Sequence, residues 1–421
     1  MFLSTGLFKL RALVRLIWVR IALISALAFV AAAAAPLLSS WLPDAMTDRI
    51  DEEAVSDIIS VLSGSMLGVA TFSLSVMVSA HHYAASQVTP RAHRLLRDDN
   101  RTQSVLATFI GAFVFSLVAI VIVNAGLFSG RDFTVLYGMT IGVTGFVIVA
   151  LVRWVQQLSD LGSVEQTTDR VETVVRSAMR QRMDVPWMGG HPAEPALPEG
   201  ALPVAAHSFG WVAHVDVARL STLAEAADAE VHLHAVPGAA MAPGRPLMHV
   251  AAQRIATDFE AALAGTVLIS PTRDFDQDPG FGIEVLSEIG QRALSPGLND
   301  PRTAMDVVGR QVRLLWMWPD LEMACDAPRF PRLYVPPLEP DVLVREAFDL
   351  IARDGAHLHE VQVAVQQALG LLATHPSPDL ADAACRLSAR CVERAEAALT
   401  MEEDRETIRA AAPHGVCGKS S

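Results

Sequence analysis

The stretch SVLSGSMLGVATFSLSVMVSAHH, residues 60–82, decides the fold of this protein. It belongs to an apolar run, 58–80, that contains no charged side chain. A run of this length reaches the ~20 residues that a helix needs to cross a bilayer. At about 100° per residue, its small and polar positions share one face of that helix. This small-residue stripe consists of Ser60, Gly64, Gly68, Thr71, Ser75, Ser79 and His82.

Two interpretations of the small-residue stripe stay open. Glycine and small hydroxyl residues let helices approach closely in lipid, so the stripe is typical of helix packing. The same residues can line a water-filled path, with His82 at its cytoplasmic mouth. No predicted membrane segment carries an acidic or basic residue near its centre, which argues against an ion-coupled transporter.

Three further apolar segments, 17–42, 105–124 and 133–158, are long enough to cross a membrane. Basic residues precede the first segment and fill the loop between the second and third. By the positive-inside rule, we expect four transmembrane helices in the bacterial inner membrane, with both termini and the 81–104 loop cytoplasmic. The basic start of the first segment also leaves a cleaved signal peptide open.

Composition separates a membrane half from an acidic half. Of 421 residues, 51% are hydrophobic and the net charge is −13. Residues 1–158 hold 11 basic and 9 acidic residues, whereas 159–421 hold 22 and 37. An acidic half argues against nucleic-acid binding. Lysine occurs only at Lys9 and Lys419, which excludes P-loop, Schiff-base and biotinyl chemistry, and we expect no cofactor.

The acidic half is predicted to be a cytoplasmic α+β region. The periodicity of 159–183 continues the fourth segment as one helical stalk, and the proline-rich stretch 184–203 is typical of a linker. Short β-like runs and Pro-Gly turns at 204–272 predict a small β-barrel-like module. Residues 273–411 predict a helical domain, with helices near 281–294, 301–318, 340–371 and 377–411. A disordered tail, 412–421, completes the chain.

Motifs for catalysis and metal binding are missing from the sequence. It lacks G-x-S-x-G, H-E-x-x-H, G-x-G-x-x-G and a P-loop, so we expect no enzyme. The alternating aspartates of RDFDQDPGFG (273–282) suggest calcium, but an EF-hand needs glycine and glutamate where Pro279 and Val285 stand. The cysteines, without C-x-x-C spacing, are expected to be free thiols. They are Cys325, Cys385, Cys391 and Cys417.

The stretch ALSPGLNDPRTA (293–304) predicts a corner between two helices. Gly297 can end the first helix, and Asn299 can cap the second, which Asp300 and Pro301 open. The free N–H groups of a helix start, beside Arg302, also predict an anion site. The carboxylate of Asp300 competes for the same donors, so both interpretations stay open.

Three blocks together resemble a known family: AASQVTPR (84–91), QDPGFG (277–282) and ALSPGLNDPRTA. Along approximately residues 10–400, the chain is similar to the bacterial family catalogued as domain of unknown function 2254; only Val88 and Thr89 depart mildly from its blocks. The resemblance implies an inner-membrane protein and no established activity. It points to these motif positions: Gln87, Pro90, Arg91, Gln277, Asp278, Ser295, Asn299, Asp300 and Thr303.

These observations favour a homo-oligomeric channel or permeation-type protein with a cytoplasmic ligand-sensing region. Its partners would be the lipid bilayer, copies of itself and a small anionic ligand. The alternatives are a non-conducting sensor or scaffold and, less favoured, an enzyme acting on lipid. Gln87, Pro90 and Arg91 would form a membrane-proximal elbow. The cytoplasmic ligand site would comprise Gln277, Asp278, Ser295, Asn299, Asp300, Arg302 and Thr303.

Overall fold

The computed structural model describes residues 19, 22–23, 25–26, 29–30, 52–87, 89–92, 100–126, 130–160, 163–193, 196–252, 256–318, 328–413 and 417. The chain divides into two compact units. The membrane unit comprises Lys9–Ser86 and His93–Gln166. The helix–sheet unit comprises Met1–Phe8, Gln87–Ala92 and Thr167–Ser421.

The membrane unit contains helices α1 (Glu52–Gln87), α2 (Asn100–Asn124) and α3 (Gly130–Asp160). By length and composition, Glu53–Ala80, Ser104–Asn124 and Asp132–Gln156 can each cross a membrane. The second, third and fourth predicted segments are therefore confirmed as helices long and apolar enough to span. Most of the first segment, 17–42, lies outside the described residues, so a fourth transmembrane helix stays a prediction.

One face of α1 packs against α2 and α3. Leu62 and Met66 join a cluster with Phe109 and Trp154, and Ile59 joins a second cluster with Phe115 and Leu136. Buried positions recur along α1 every three or four residues, the period of one helix face. They are Val55, Ile59, Leu62, Met66, Ala70, Ser73 and Met77. In lipid, such contacts stabilise mainly through close packing, since both environments are apolar.

The prediction that 159–183 continue the fourth segment as one helix is wrong, because two separate helices cover this region. Helix α3 ends at Asp160, and the next helix, α4, runs from Val164 to Asp184. Ser163 lies outside both, and its hydroxyl accepts a hydrogen bond from the N–H of Gln166 at 3.4 Å. A serine that receives the N–H three residues on is a helix N-cap, so a new helix begins there.

The predicted small β-barrel-like module is not a closed barrel, because the described strands form two open sheets. The five-stranded sheet has the order β1-β8-β4-β6-β2, and the three-stranded sheet has the order β5-β3-β7. Strand β8 pairs in parallel with both β1 and β4, and the remaining pairs are antiparallel. The strands are β1 (His191–Pro192), β2 (Leu202–Ala205), β3 (Gly210–Val215), β4 (Glu230–Leu233), β5 (Ala240–Met241), β6 (Pro246–Ala251), β7 (Val267–Ser270) and β8 (Leu333–Val335).

A single apolar core joins the two sheets with two helices, α5 (Val217–Ala226) and α6 (Thr257–Ala264). Val212 of β3, Leu220 of α5 and Met248 of β6 are all buried in it. Asp216 caps α5, accepting from the N–H of Arg219 at 3.1 Å. Part of the predicted linker, 184–203, is regular: a 3-10 turn (Pro186–Gly189) is followed by β1 and the start of β2.

Helices dominate the rest of the helix–sheet unit. They are α7 (Pro279–Ala293), α8 (Pro301–Leu315), α9 (Pro340–Asp354), α10 (His359–Leu372), α11 (Pro378–Ala398) and α12 (Glu402–Ala411). The helices predicted at 340–371 and 377–411 are therefore each two helices. Gly355 ends α9 where a Cβ would lie 2.7 Å from Val361 Cγ1. Leu399 adopts an extended conformation after α11, and Arg405 donates to its carbonyl oxygen at 2.9 Å.

The expectation of free thiols is wrong for two cysteines. Cys385 on α11 and Cys417 in the predicted disordered tail form a disulfide, with their Cα atoms 5.5 Å apart. The two cysteines lie 32 residues apart in the chain, and this spacing does not indicate that they pair. Cys391 is a buried free thiol, and burial raises its pKa to about 12. Cys325 lies outside the described residues.

Gly282, the last residue of QDPGFG, sets how closely α7 approaches α4. A Cβ at this position would lie 2.1 Å from Val175 Cγ2 on α4. Val175 is buried and β-branched, so its side chain cannot rotate away freely. The glycine of this block is therefore a packing residue.

Replacing Gly282 by alanine is expected to lower the free energy of unfolding by about 1–3 kcal/mol through overpacking. Adding Val175→Ala removes the clashing methyl group, so the double variant should be more stable than the sum of the two single effects. Denaturant unfolding of the full chain in detergent measures both. Gly297→Ala is the matched control, because no atom lies within 4 Å of its Cβ position. Additive effects of Gly282 and Val175 would contradict the prediction.

Candidate functional site

The elbow and the QDPGFG block meet through ion pairs at α7. Pro90 is exposed and opens a short helical turn, 90–92. Arg91 Nη1 lies 2.9 Å from Glu284 Oε1 and also pairs with Glu288, both on α7. Gln87 is the last residue of α1. Residues 87–92 belong to the helix–sheet unit, and Arg91 binds α7 within it.

Arg273 continues these contacts into the interior of the unit. Its Nε and Nη2 atoms bind the two carboxylate oxygens of Asp278 at 2.7 and 3.0 Å, and Nη1 binds Glu284 Oε2 at 2.6 Å. The guanidinium also lies over the rings of Trp211 and Phe281, at 5.7 and 5.1 Å from their centroids. Bidentate and stacked arginines are well fixed. Arg91, Arg273, Asp278, Glu284 and Glu288 are called the ion network below.

Glu346 on α9 lies beside the ion network with its Oε2 atom buried. Among the described residues, this atom has no hydrogen-bond partner. A Cβ at Gly280 would lie 3.3 Å from it, so α7 approaches closely here. Burial raises the pKa of Glu346 to about 7, and the negative charges of Glu284 and Asp278 also raise it, against the opposing effect of Arg273. Near neutral pH, its protonation state is therefore sensitive to small changes.

Replacing Glu346 by glutamine is expected to stabilise the protein at pH 8, on the order of 1–2 kcal/mol. The folded-state pKa of about 7 lies above the ordinary glutamate value of 4.5, so folding favours the protonated carboxyl. Wild-type stability from this group is present below pH 4.5 and falls as pH rises through 7. Unfolding across this range measures the effect. Glu339→Gln, which replaces an exposed carboxyl at the start of the same helix, is the control, and an unchanged pH slope in Glu346→Gln would refute the assignment.

Gln277 and Asp278 bind the protein's own backbone and side chains. Gln277 Oε1 accepts from the N–H of Val215 at 2.9 Å, and its Nε2 donates to the Val215 carbonyl at 3.4 Å. Asp278 caps α7, accepting from the N–H of Phe281 at 3.0 Å, and is only 5% exposed. Both residues join β3 and α7 within the fold.

The ALSPGLNDPRTA residues lie at the opposite end of α7. Fifteen helical residues at about 1.5 Å each separate the two groups by about 22 Å. The structure therefore does not bring the predicted cytoplasmic ligand residues together. Ser295 donates to the carbonyl of Arg292 at 2.6 Å, and Arg302 is exposed.

Asp300, rather than Asn299, caps α8. Its carboxylate accepts from the N–H of Thr303 at 3.1 Å and from the Thr303 hydroxyl at 2.5 Å. The sequence predicts that Gly297 ends the first helix. In the structure, the left-handed residue of this corner is Asn299 (φ 50°) and not Gly297. A carboxylate already accepts at this helix start, so the corner interpretation accounts for the contacts.

All seven residues of the small-residue stripe are exposed. At 100° per residue, the centre of the stripe lies about 170° around α1 from the centre of its buried face. Exposed apolar side chains flank it, with Val61 and Phe72 on one side and Leu67, Leu74 and Val78 on the other. The stripe therefore does not serve the packing of α1 on α2 and α3.

A metal site has little support among the described residues, where no group of three histidine, cysteine, aspartate or glutamate side chains is suitably placed. His234 Nε2 lies 2.7 Å from His249 Nδ1, but His232 stacks on Tyr334 instead. Asp274 accepts from the N–H of Asp276 at 2.9 Å, forming a turn. The carboxylates of Asp274 and Asp278 thus shape the chain that leads into α7.

Sequence reasoning missed Arg273, Glu284 and Glu346. Arg273 was hidden among aspartates that suggested calcium, although an arginine five residues before a capping aspartate can reach it. Glu284 and Glu346 each interrupt the mostly apolar face of a helix. A charge on such a face is the available signal, because it must find a partner or change its pKa when buried.

Comparisons with known proteins agree with the membrane assignment. A family model described as a predicted membrane protein (DUF2254) matches residues 15–370. Two uncharacterized proteins, Mb1321c of Mycobacterium bovis and Rv1290c of Mycobacterium tuberculosis, are each 27% identical over 286 residues, covering 65% of this chain and 54% of theirs. The chain thus spans about half the length of the curated relatives it matches. No solved structure matches it.

Proposed function

Because the chain belongs to the family of predicted membrane proteins described as DUF2254, we propose that it is a homo-oligomeric channel or permeation-type protein of the bacterial inner membrane. Each subunit contributes α1 to the path. The helix–sheet unit lies in the cytoplasm, as do both termini, and senses a small anionic ligand. Catalysis and nucleic-acid binding have no place in this proposal, since the sequence lacks catalytic motifs and a basic surface.

The exposure of the whole small-residue stripe carries the proposal. A path-lining face must be free within its own subunit, and the stripe lies opposite the packed face of α1. Its apolar flanks suit lipid or a neighbouring subunit. Arg91 supplies the coupling, since it joins the segment after α1 to the ion network of the helix–sheet unit.

The test is ion flux through liposomes that contain the purified full chain. The double variant Ser75→Leu, Ser79→Leu places large apolar side chains on the stripe and should reduce flux by about tenfold or more, because apolar constrictions dewet. Ser65→Leu, exposed about 90° around α1 from the centre of the stripe, is the matched control and should conduct like wild type. Unchanged flux in the double variant would exclude α1 as the lining helix.

A non-conducting sensor or scaffold is the second candidate, and one observation favours it. The Thr71 hydroxyl donates to the Leu67 carbonyl at 2.8 Å, and the Ser75 hydroxyl donates to the Thr71 carbonyl at 3.1 Å. Hydroxyls bound to their own helix leave a smooth face suited to a second copy. Disulfide cross-linking of Ser75→Cys between subunits, with Leu74→Cys as control, combined with no flux of any common ion, would establish this candidate and exclude the channel.

A further inference from the structure

An open recess lies where α4 ends in the helix–sheet unit. Its volume, the mouth included, is about 360 Å³. Apart from Arg182 and Met183, its walls are aromatic rings, prolines and a leucine: Pro186, Trp187, Trp318, Pro337 and Leu338. Sites that bind small molecules combine apolar walls with few polar groups. The recess has that character.

Arg182 is the charged group of the recess. Its Nη2 donates to the Pro336 carbonyl at 3.3 Å. Its Nη1 is shielded from water and, among the described residues, has no hydrogen-bond partner. Burial lowers the pKa of Arg182 to about 10, which still leaves it charged at neutral pH. Buried charges are normally paired, so a cation without an anion here is costly for the fold alone.

The neighbouring surface decides which side an anion would occupy. Arg182 also lines a second recess of about 280 Å³, together with Asp276 and Gln277. The Asp276 carboxylate would repel an anion in that second recess. Among the described residues, no acidic side chain lines the first recess, so no opposing charge weakens the attraction of Arg182 for an anion there.

Backbone strain holds the aromatic wall. Trp187 and Met188 adopt left-handed conformations, with φ of 49° and 55°. Residues other than glycine rarely adopt this backbone conformation, and such backbone strain clusters at ligand sites. Met188 is buried in the core of the sheets, so it anchors the turn while Trp187 lines the recess.

We propose that this recess binds a small organic anion, a carboxylate or a phosphate with an aromatic or alkyl body, through Arg182. The guanidinium binds the anionic group, and Trp187 and Trp318 pack against the apolar body. The proposal deepens the proposed function, on which its sensing role rests, because it gives the helix–sheet unit a ligand site. The recess takes the place of the corner before α8 as the proposed anion site, because the Asp300 carboxylate already accepts a hydrogen bond from an N–H group at the start of α8.

The test measures binding of three probes to the full chain in detergent by calorimetry and thermal shift. Benzoate and phenyl phosphate represent the two anionic groups, and benzamide is the neutral control. At least one anionic probe should bind at millimolar concentration and raise the melting temperature, while benzamide should not. The better of the two probes identifies the anionic group. If neither anionic probe binds, the proposal is overturned.

Two test variants and one control variant separate this site from adventitious binding. Arg182→Met should weaken the bound probe by about tenfold or more, since it removes a charge-assisted bond. It should also fold at least as well as wild type without probe, because an unpaired buried charge is lost. Arg180→Met, exposed on the same helix, is the matched control. Trp318→Leu should weaken the aromatic probes. Equal binding by Arg182→Met and wild type would refute the site.

The binding and flux experiments distinguish a failure of the ligand site from a failure of the channel. A protein that binds benzoate through Arg182 but conducts no ion retains the site and loses the channel. A protein that conducts through α1 but binds no anionic probe retains the channel and loses the site.

Discussion

Replacing Glu172 by glutamine is expected to lower the free energy of unfolding by about 3–5 kcal/mol, the usual cost of breaking a buried ion pair. Glu172, on α4, is only 5% exposed, and Arg310, on α8, is only 6% exposed. Glu172 Oε2 lies 2.9 Å from Arg310 Nη1 and 3.0 Å from Arg313 Nη2. The variant removes this carboxylate from the buried Arg310, which keeps, among the described residues, only the more exposed Asp169 and Asp306.

The same variant should change how the free energy of unfolding varies at acidic pH. Burial raises the pKa of Glu172, but Arg313, Arg310 and Arg176 together lower it by more, so the folded-state pKa lies below the ordinary glutamate value of 4.5. The stability from this group is therefore present above about pH 4.5 and is lost as pH falls through the folded-state pKa. Glu172→Gln should lack that loss, which is opposite in direction to the effect of Glu346.

Denaturant unfolding of the full chain across acidic and neutral pH tests both statements. Glu165→Gln is the matched control, since Glu165 is exposed in the first turn of the same helix. It should change stability by less than about 0.5 kcal/mol. Equal stability of the two variants at neutral pH would contradict the buried ion cluster.

Replacing Asp278 by alanine is also expected to cost about 3–5 kcal/mol, because it breaks a buried bidentate pair with Arg273 and removes a helix cap. Asp278→Asn keeps a capping oxygen and loses only the charge, so it should cost about 1 kcal/mol less. The difference between the two variants isolates the cap of α7 from the ion pair.

Asp300→Ala is the control for this prediction. Asp300 caps α8 before a proline just as Asp278 caps α7, but Asp300 is exposed. Its loss should cost about 0.5–2 kcal/mol, the value of a cap alone. Chemical unfolding of the three variants measures the series. Equal costs at the two caps would show that Arg273 adds nothing and would remove the structural basis of the ion network.

Several elements of the fold could be predicted because their signals are local. The apolar runs that form α1, α2 and α3 are long enough to be identified as membrane segments without knowledge of the elements they pack against. Asp216 before α5 and Pro301 at the start of α8 mark helix starts through contacts within four residues. The periodic stripe on α1 is likewise a property of one helix, so its residues were found together.

Other features depended on partners far away in the chain. Strand β8 pairs between β1 and β4, which turned the expected barrel into an open sheet. Cys385 and Cys417 meet although nothing in their spacing indicates it. The seven residues predicted as one cytoplasmic ligand site lie at two ends of α7, because motif order says nothing about distance across a helix.

The sequence by itself determined that this is a membrane protein with a striped helix and an acidic α+β region, because length, hydropathy and periodicity act within one segment. Only the tertiary structure decided that Arg91 reaches α7 and that Glu172 and Arg310 pair. It also left one nitrogen of Arg182 without a partner in an aromatic recess. Burial and pairing of charge depend on which elements meet, and that meeting is fixed by packing across the whole unit.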